Sequence, residues 1–166
     1  TSKKQITELL EKIRTQIPEV TLRTSLIVGF PGETDDDFKE LQEFVAQAKF
    51  DKLGTFMYSK EEGTPAAKLP NQINANTKKS RYNKIMKEQQ QISKENLKTK
   101  IGKQYEVLIE GKTFDDKYLI GRTKQDVPEI DGLVYVKNSD NKSLEKQFLK
   151  VKITQVKNYD LIGEII

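Results

Sequence analysis

The apolar residues of this chain change their period at Gly102, and that change limits the fold more than any other feature of the sequence. Beyond it, Tyr105-Glu106-Val107-Leu108-Ile109, Tyr118-Leu119-Ile120-Gly121-Arg122, Leu133-Val134-Tyr135-Val136 and the runs 148–156 and 161–166 are short and largely alternating. Turn-rich stretches such as Asp131-Gly132 and 138–141 separate them. Period-two alternation between turn signals marks strands. Five short strands in so small a segment predict a barrel of the OB type. Before the change the spacing is helical or continuous, so the chain reads as α/β over residues 1–100 followed by all-β over 101–166.

Upstream, Ile6, Leu9, Leu10, Ile13 and Ile17 fall at helical spacing before Pro18. Leu22-Arg23-Thr24-Ser25-Leu26-Ile27-Val28 ends in the continuous apolar run of a strand covered on both faces, and it stops at Gly29-Phe30-Pro31-Gly32. Thr34 then stands as an N-cap with Asp37 three residues on, and Phe38, Leu41, Phe44, Val45 and Ala48 make one apolar face. Residues 53–58 form a second strand, and a strand–helix–strand crossover favours a parallel pair. A loop over 61–70 leads to a helix over 77–100 with a thin stripe of Tyr82, Ile85, Met86, Gln89, Ile92 and Leu97.

Two parallel strands neither make a covered sheet nor close a barrel, so residues 1–100 are expected to be the last part of a larger α/β domain. Ligands of such domains lie beyond the carboxyl ends of the strands, here residues 29–34 and 59–67. Gly29 and Gly32 would let backbone approach a ligand, and the helix start at Thr34 would offer amides to an anionic group. A plain tight turn accounts for the same residues, and on physical grounds alone it has the advantage.

Composition narrows the chemistry. The chain has no cysteine and no histidine, which excludes a disulfide framework, a thiolate nucleophile, a structural zinc site and any iron–sulfur cluster ligated by its own thiolates. Acid–base work would fall to Asp, Glu, Lys or Tyr. The formal charge of +4 resides entirely before residue 101, because residues 101–166 carry 11 basic and 11 acidic side chains. Its source is the stretch 77–100, where Lys78, Lys79, Arg81, Lys84, Lys87, Lys94, Lys98 and Lys100 meet only Glu88 and Glu95. That run fits an anionic partner or a solvated helix face. No segment has the length and apolarity of a membrane span or the pattern of a signal peptide, so a cytoplasmic protein is expected.

The segment from Leu22 through Gly29-Phe30-Pro31-Gly32-Glu33-Thr34, with Phe50-Asp51-Lys52-Leu53-Gly54 and Tyr58-Ser59-Lys60-Glu61-Glu62-Gly63-Thr64-Pro65-Ala66-Ala67, strongly resembles the methylthiotransferases of the radical S-adenosylmethionine (SAM) superfamily. The alternating segment resembles the TRAM domain with which these enzymes end. Of the two main branches, MiaB-type enzymes act on a tRNA adenosine and RimO-type enzymes on an aspartate of a small-subunit ribosomal protein. Ser59-x-Glu61-Glu62-Gly63-Thr64-Pro65 and Asp126-Val127-Pro128-Glu129-Ile130-Asp131-Gly132 look like the RimO versions. A barrel of zero net charge agrees, since a reader of RNA is usually basic.

The resemblance implies the end of a partial TIM-type radical SAM barrel over residues 1–100 and an OB-like TRAM barrel over 101–166. It also implies two four-iron four-sulfur clusters, one cleaving SAM reductively and the other delivering sulfur, with a further SAM supplying the methyl group. None of the cluster cysteines is in this chain, so it is expected to be the last third or so of the enzyme, inactive alone and dependent on the preceding part. A glycine- and isoleucine-bearing pattern on the penultimate strand of such barrels packs on the adenine of SAM. It maps here to Ile27, Gly29 and Phe30, with Gly32 and Glu33 beside them; the last strand, Thr55-Phe56-Met57-Tyr58, would line the adenine edge, Met57 in particular, and no catalytic residue is assigned. In the barrel Tyr118, Arg122, Lys124, Asp126, Glu129 and Asp131 are candidates for docking the basic ribosomal protein or the ribosome, with RNA contact left open. The alternatives are a MiaB-type fragment and a free-standing nucleic-acid or protein binding module.

Overall fold

The computed structural model describes residues 2–138 and 144–166; the predicted turn at 138–141 lies outside the described residues from position 139 onward. The chain forms two compact units, Thr1–Ile92 and Ser93–Ile166.

In the first unit the elements are helix α1 (Lys3–Gln16), strand β1 (Arg23–Val28), helix α2 (Asp35–Ala48) and strand β2 (Lys52–Met57). A short 3-10 turn (Ala66–Lys68) precedes helix α3 (Ala75–Lys98), which runs on into the second unit. β1 and β2 pair in parallel, with Ile27 opposite Phe56 and Val28 opposite Met57. Alternation sends Leu26, Val28, Leu53 and Thr55 to the face packed with Phe38, Val45 and Ala48 of α2 and Ile85 and Ile92 of α3, where Val28, Val45 and Ile85 are fully buried. The other face stays open: Ile27 and Phe56 are 58% and 60% exposed. The strand expected to be covered on both faces is therefore covered on one. The apolar run still alternates in space, and no element among the described residues lies over its second side.

α1 forms as the spacing predicts, capped by Ser2 in a capping box with Gln5. Of its apolar stripe only Leu10 packs against the core; Leu9 and Ile17 remain more than half exposed. Lys3 reaches Glu40 of α2 at 2.9 Å, and Arg14 donates to the carbonyl of Lys49 at 3.0 Å.

In the second unit β3 (Gln104–Lys112), β4 (Tyr118–Thr123), β5 (Val134–Lys137), β6 (Phe148–Lys157) and β7 (Asp160–Ile165) close a barrel in the order β3-β4-β5-β7-β6. All neighbours are antiparallel except β5 and β7, which are parallel, so the sheet is mixed, as the predicted OB-type barrel requires. Val107, Ile109, Leu119, Val134, Val136, Val151, Ile153 and Leu161 fill the interior, and Leu97 near the end of α3 packs among them. Register shifts in β3 at Ile109/Gly111 and in β6 at Ile153/Gln155 supply the local bends that closure needs. Gly121 and Gly163 sit where strands pass too closely for a side chain: a Cβ would overlap the carbonyl of Leu108 at the first and Lys152 backbone at the second.

Candidate functional site

The carboxyl ends of the parallel pair gather the predicted cofactor-side residues. β1 runs out into Gly29 at φ +74°, exposed Phe30, buried Pro31 and Gly32 at φ +86°. Positive φ at both glycines is the conformation that a side chain disfavours. Gly32 has open space around it, and its N–H donates to the carbonyl of Asn71 at 3.0 Å. Gly29 is different, because a Cβ there would overlap Cγ of Lys78. The close approach that Gly29 permits is thus made by a side chain of α3. Lys78 Nζ goes on to donate to the Tyr58 carbonyl at 2.8 Å and stands 4.9 Å from the centre of the Tyr58 ring. That ring meets Phe30 edge-on at 5.2 Å.

Glu33 closes the turn from inside. Its Oε2 accepts the Gly29 N–H at 3.0 Å, and its Oε1 accepts from Arg81 Nη1. Arg81 Nη1 also reaches the Glu33 carbonyl at 3.1 Å, while Nη2 donates to Asp35 Oδ1 at 2.8 Å. Arg81 is only 5% exposed. Burial works against its charge, but the hydrogen bonds to Asp35 and Glu33 prevail and raise its pKa above the ordinary guanidinium value. One member of the basic run is therefore consumed inside the protein.

The helix start after the turn is already occupied. Thr34 Oγ1 accepts the Asp37 N–H at 3.1 Å, and Asp37 Oδ2 accepts both the Thr34 N–H at 2.9 Å and its hydroxyl at 2.7 Å. Those bonds hold the Asp37 carboxyl below its usual pKa. With Asp35, Asp36 and Asp37 all in the first turn, this end repels an incoming anion, so the amide donors considered from sequence serve the capping box.

What remains available is apolar. Ile27 and its register partner Phe56 share the open sheet face, and Phe30 at 44% exposure stands at its carboxyl end. Met57 is 47% exposed but, as the partner of Val28, falls on the opposite side by strand alternation. Flat apolar surface beside a backbone turn fits an adenine ring. It does not fit an iron–sulfur cluster: the sequence has no thiolate, and among the described residues no three His, Cys, Asp or Glu are placed to hold a metal. By sequence the strand 55–58, Phe56 included, lies along this edge, but neither Lys78 nor Arg81 is part of the predicted site. Parity along the two strands was the available signal for Phe56, whereas nothing local distinguished Arg81 from its basic neighbours.

In the barrel the predicted docking residues separate into two places. Tyr118 begins β4, half-buried and edge-on to Tyr135 at 6.3 Å. Ile120, Tyr135 and Ile162 form a register row across β4, β5 and β7 beside it. Arg122 lies about 13 Å along the same strand, from a rise of about 3.3 Å per residue, and donates through Nε to Glu110 at 2.8 Å. Exposed Lys124 and the loop that follows belong to this second place. There Asp126 Oδ2 accepts the Thr123 hydroxyl at 2.7 Å and Asp131 Oδ2 accepts the Val127 N–H at 2.8 Å, so both carboxylates shape the loop. Glu129 (φ +63°) and Ile130 (71% exposed) project from it. No described helix is long and apolar enough to cross a membrane.

Comparison with known proteins agrees with both units. Residues 101–166 match the TRAM domain family model. Over 160 residues the chain is 55% identical to the ribosomal protein uS12 methylthiotransferase RimO of Alkaliphilus oremlandii, covering 96% of this chain and 36% of the relative. It is 49% identical over 166 residues to that of Clostridioides difficile (100% and 37%) and 45% over 163 residues to that of Lachnoclostridium phytofermentans (98% and 37%). The chain thus spans little more than a third of the length of these relatives. Identity is sustained across both units, so the chain is similar over nearly its whole length to a part of RimO-type methylthiotransferases, and its barrel, residues 101–166, matches the TRAM domain.

Proposed function

We propose that this chain is the carboxy-terminal part of a cytoplasmic enzyme that methylthiolates an aspartate of a small-subunit ribosomal protein, uS12 in the names of its relatives. The observation that carries the reading is 44–55% identity over nearly the whole chain to proteins of that name. In this reading SAM, when bound, supplies the methyl group and the radical chemistry, and the iron–sulfur clusters are held by cysteines outside this sequence. The chain's own share is to bind and to orient. Ile27 and Phe56 present the apolar face toward the adenine, Phe30 borders it, and the 29–33 turn fixes the backbone beside it. The TRAM barrel, with equal numbers of acidic and basic groups, docks the basic protein through the Tyr118–Tyr135 face and the 124–132 loop.

Two measurements test this. Reconstituted with iron and sulfide, the 166-residue chain is expected to develop no cluster absorbance and to leave SAM intact; a stoichiometric cluster signal overturns that part. In a binding comparison it is expected to hold recombinant uS12 more tightly than tRNA. Tight tRNA binding that weakens steeply with salt, with none to uS12, would replace the reading by a tRNA-modifying one.

A further inference from the structure

We infer that Lys78 and Arg81, one turn apart on α3, are positioning residues that set the geometry of the cofactor-side turn 29–33 and of the exit of β2. The inference rests on the proposed reading of that turn as the adenine side of the SAM site.

Burying a guanidinium is costly unless its donors are matched, and a buried ion pair is a poor source of net stability because apolar groups of similar size would serve as well. What such a pair supplies is defined geometry. Here it is specific: Arg81 holds the Glu33 side chain and carbonyl, and Glu33 in turn holds the Gly29 N–H. Lys78 acts on the same glycine by an independent route, its stem filling the space a Cβ would occupy and its ammonium taking the Tyr58 carbonyl. Tyr58 follows β2, and Tyr58 N–H donates to the Val28 carbonyl at 2.9 Å, so the two strand exits are also tied to each other. A helix remote in sequence thereby fastens both carboxyl ends of the parallel pair, β1 at the left-handed Gly29 and β2 at the Tyr58 carbonyl. Neither cation has been placed on the open Ile27–Phe56 face, so their effect is on how well the cofactor is held and not on the reacting atoms.

The test uses the complete enzyme carrying these residues, with equilibrium SAM binding and a KM-against-kcat comparison, and the 166-residue chain for amide hydrogen exchange. Arg81→Lys keeps the charge but loses the fork. The double change Arg81→Met with Glu33→Gln removes both charges at similar bulk and guards against misfolding from a stranded carboxylate. Both are expected to weaken SAM binding about tenfold, the scale of a lost charge-assisted hydrogen bond, with kcat at saturating SAM within about threefold of the parent. Exchange at the Gly29 amide quickens while that of Val107 in the barrel does not change. Lys78→Met, which retains the stem, is expected to weaken binding about threefold, less than the Arg81 changes because a single part-buried bond to a carbonyl is lost. Unchanged SAM affinity in the Arg81 variants overturns the inference. Phe30→Ala and Ile27→Ser tell the two levels apart: if they weaken SAM binding and the Arg81 variants do not, positioning alone is wrong. If they too have no effect, the turn is not the cofactor side and both readings fall.

Discussion

The parallel pair and the barrel draw on the same kinds of residue, yet they solve the problem of strand edges in different ways. In the barrel every strand has two neighbours, and its interior residues, including Val107, Ile109, Val136 and Ile153, are fully buried. In the pair each strand has one neighbour, helices cover one face, and large side chains lie bare on the other. Closure lets a short sheet satisfy its own hydrogen bonds and fill its own core; a two-stranded sheet depends on what is packed against it. The barrel is therefore expected to behave as a self-sufficient unit. The pair should respond to changes in the helices and turns that hold it.

The sharpest test of that contrast is truncation inside the barrel. Ile153→Ala is expected to lower stability by about 4 kcal/mol, within the range for a fully buried isoleucine in a site with little room to relax, as read from urea unfolding. In the first unit the counterpart is Arg81→Met alone, which leaves the part-buried Glu33 without its cation and should cost about 3 kcal/mol. The Arg81→Met, Glu33→Gln pair should recover most of it. Were the single change harmless, the turn would not depend on α3. Next comes Thr34→Ala, which removes the cap of α2 and is expected to cost about 1 kcal/mol, visible in the first unit and absent from the exchange protection of barrel amides. The pH dependence follows from the same cap. Asp37 has its pKa depressed in the folded chain, so its contribution is present above the ordinary carboxylate value of 3.8 and is lost as pH falls through the lower folded value. Circular dichroism below pH 3.8 should show the α2 helix weakening, and Thr34→Ala should remove that step. The smallest effect is expected at the open face, where Ile27→Ser in the isolated chain should change stability by about 0.5 kcal/mol or less. A loss of several kcal/mol there would mean that the face is covered in solution, for instance by self-association.

Periodicity made most of this architecture legible. Each barrel strand announced itself by alternation, and the capping box at Thr34 and Asp37 appeared as read, because both signals are local. The continuous run Leu26-Ile27-Val28 was less informative, since a run of three apolar residues looks the same whether one or both faces are covered. For the site, the strand exits were legible as glycine and proline punctuation, and the structure places Ile27, Gly29, Phe30 and Glu33 around one turn. The partners of that turn were not. Lys78 and Arg81 lie some fifty residues away from Gly29 and Glu33 and share their composition with exposed lysines; only tertiary packing separates a buried guanidinium from its solvated neighbours. Similarly, the acidic residues of the 124–132 loop stand out in the sequence as docking candidates, but the bonds by which Asp126 and Asp131 shape the loop itself were not legible there.

The order of strands around the barrel also bears on how the chain acquires its fold during synthesis. β7, residues Asp160–Ile165, lies between β5 and β6, so of the five barrel strands the last in sequence is the one that joins two strands made before it. Until it emerges, β5 and β6 each present an unpaired edge, the kind of surface on which nascent chains stick to one another.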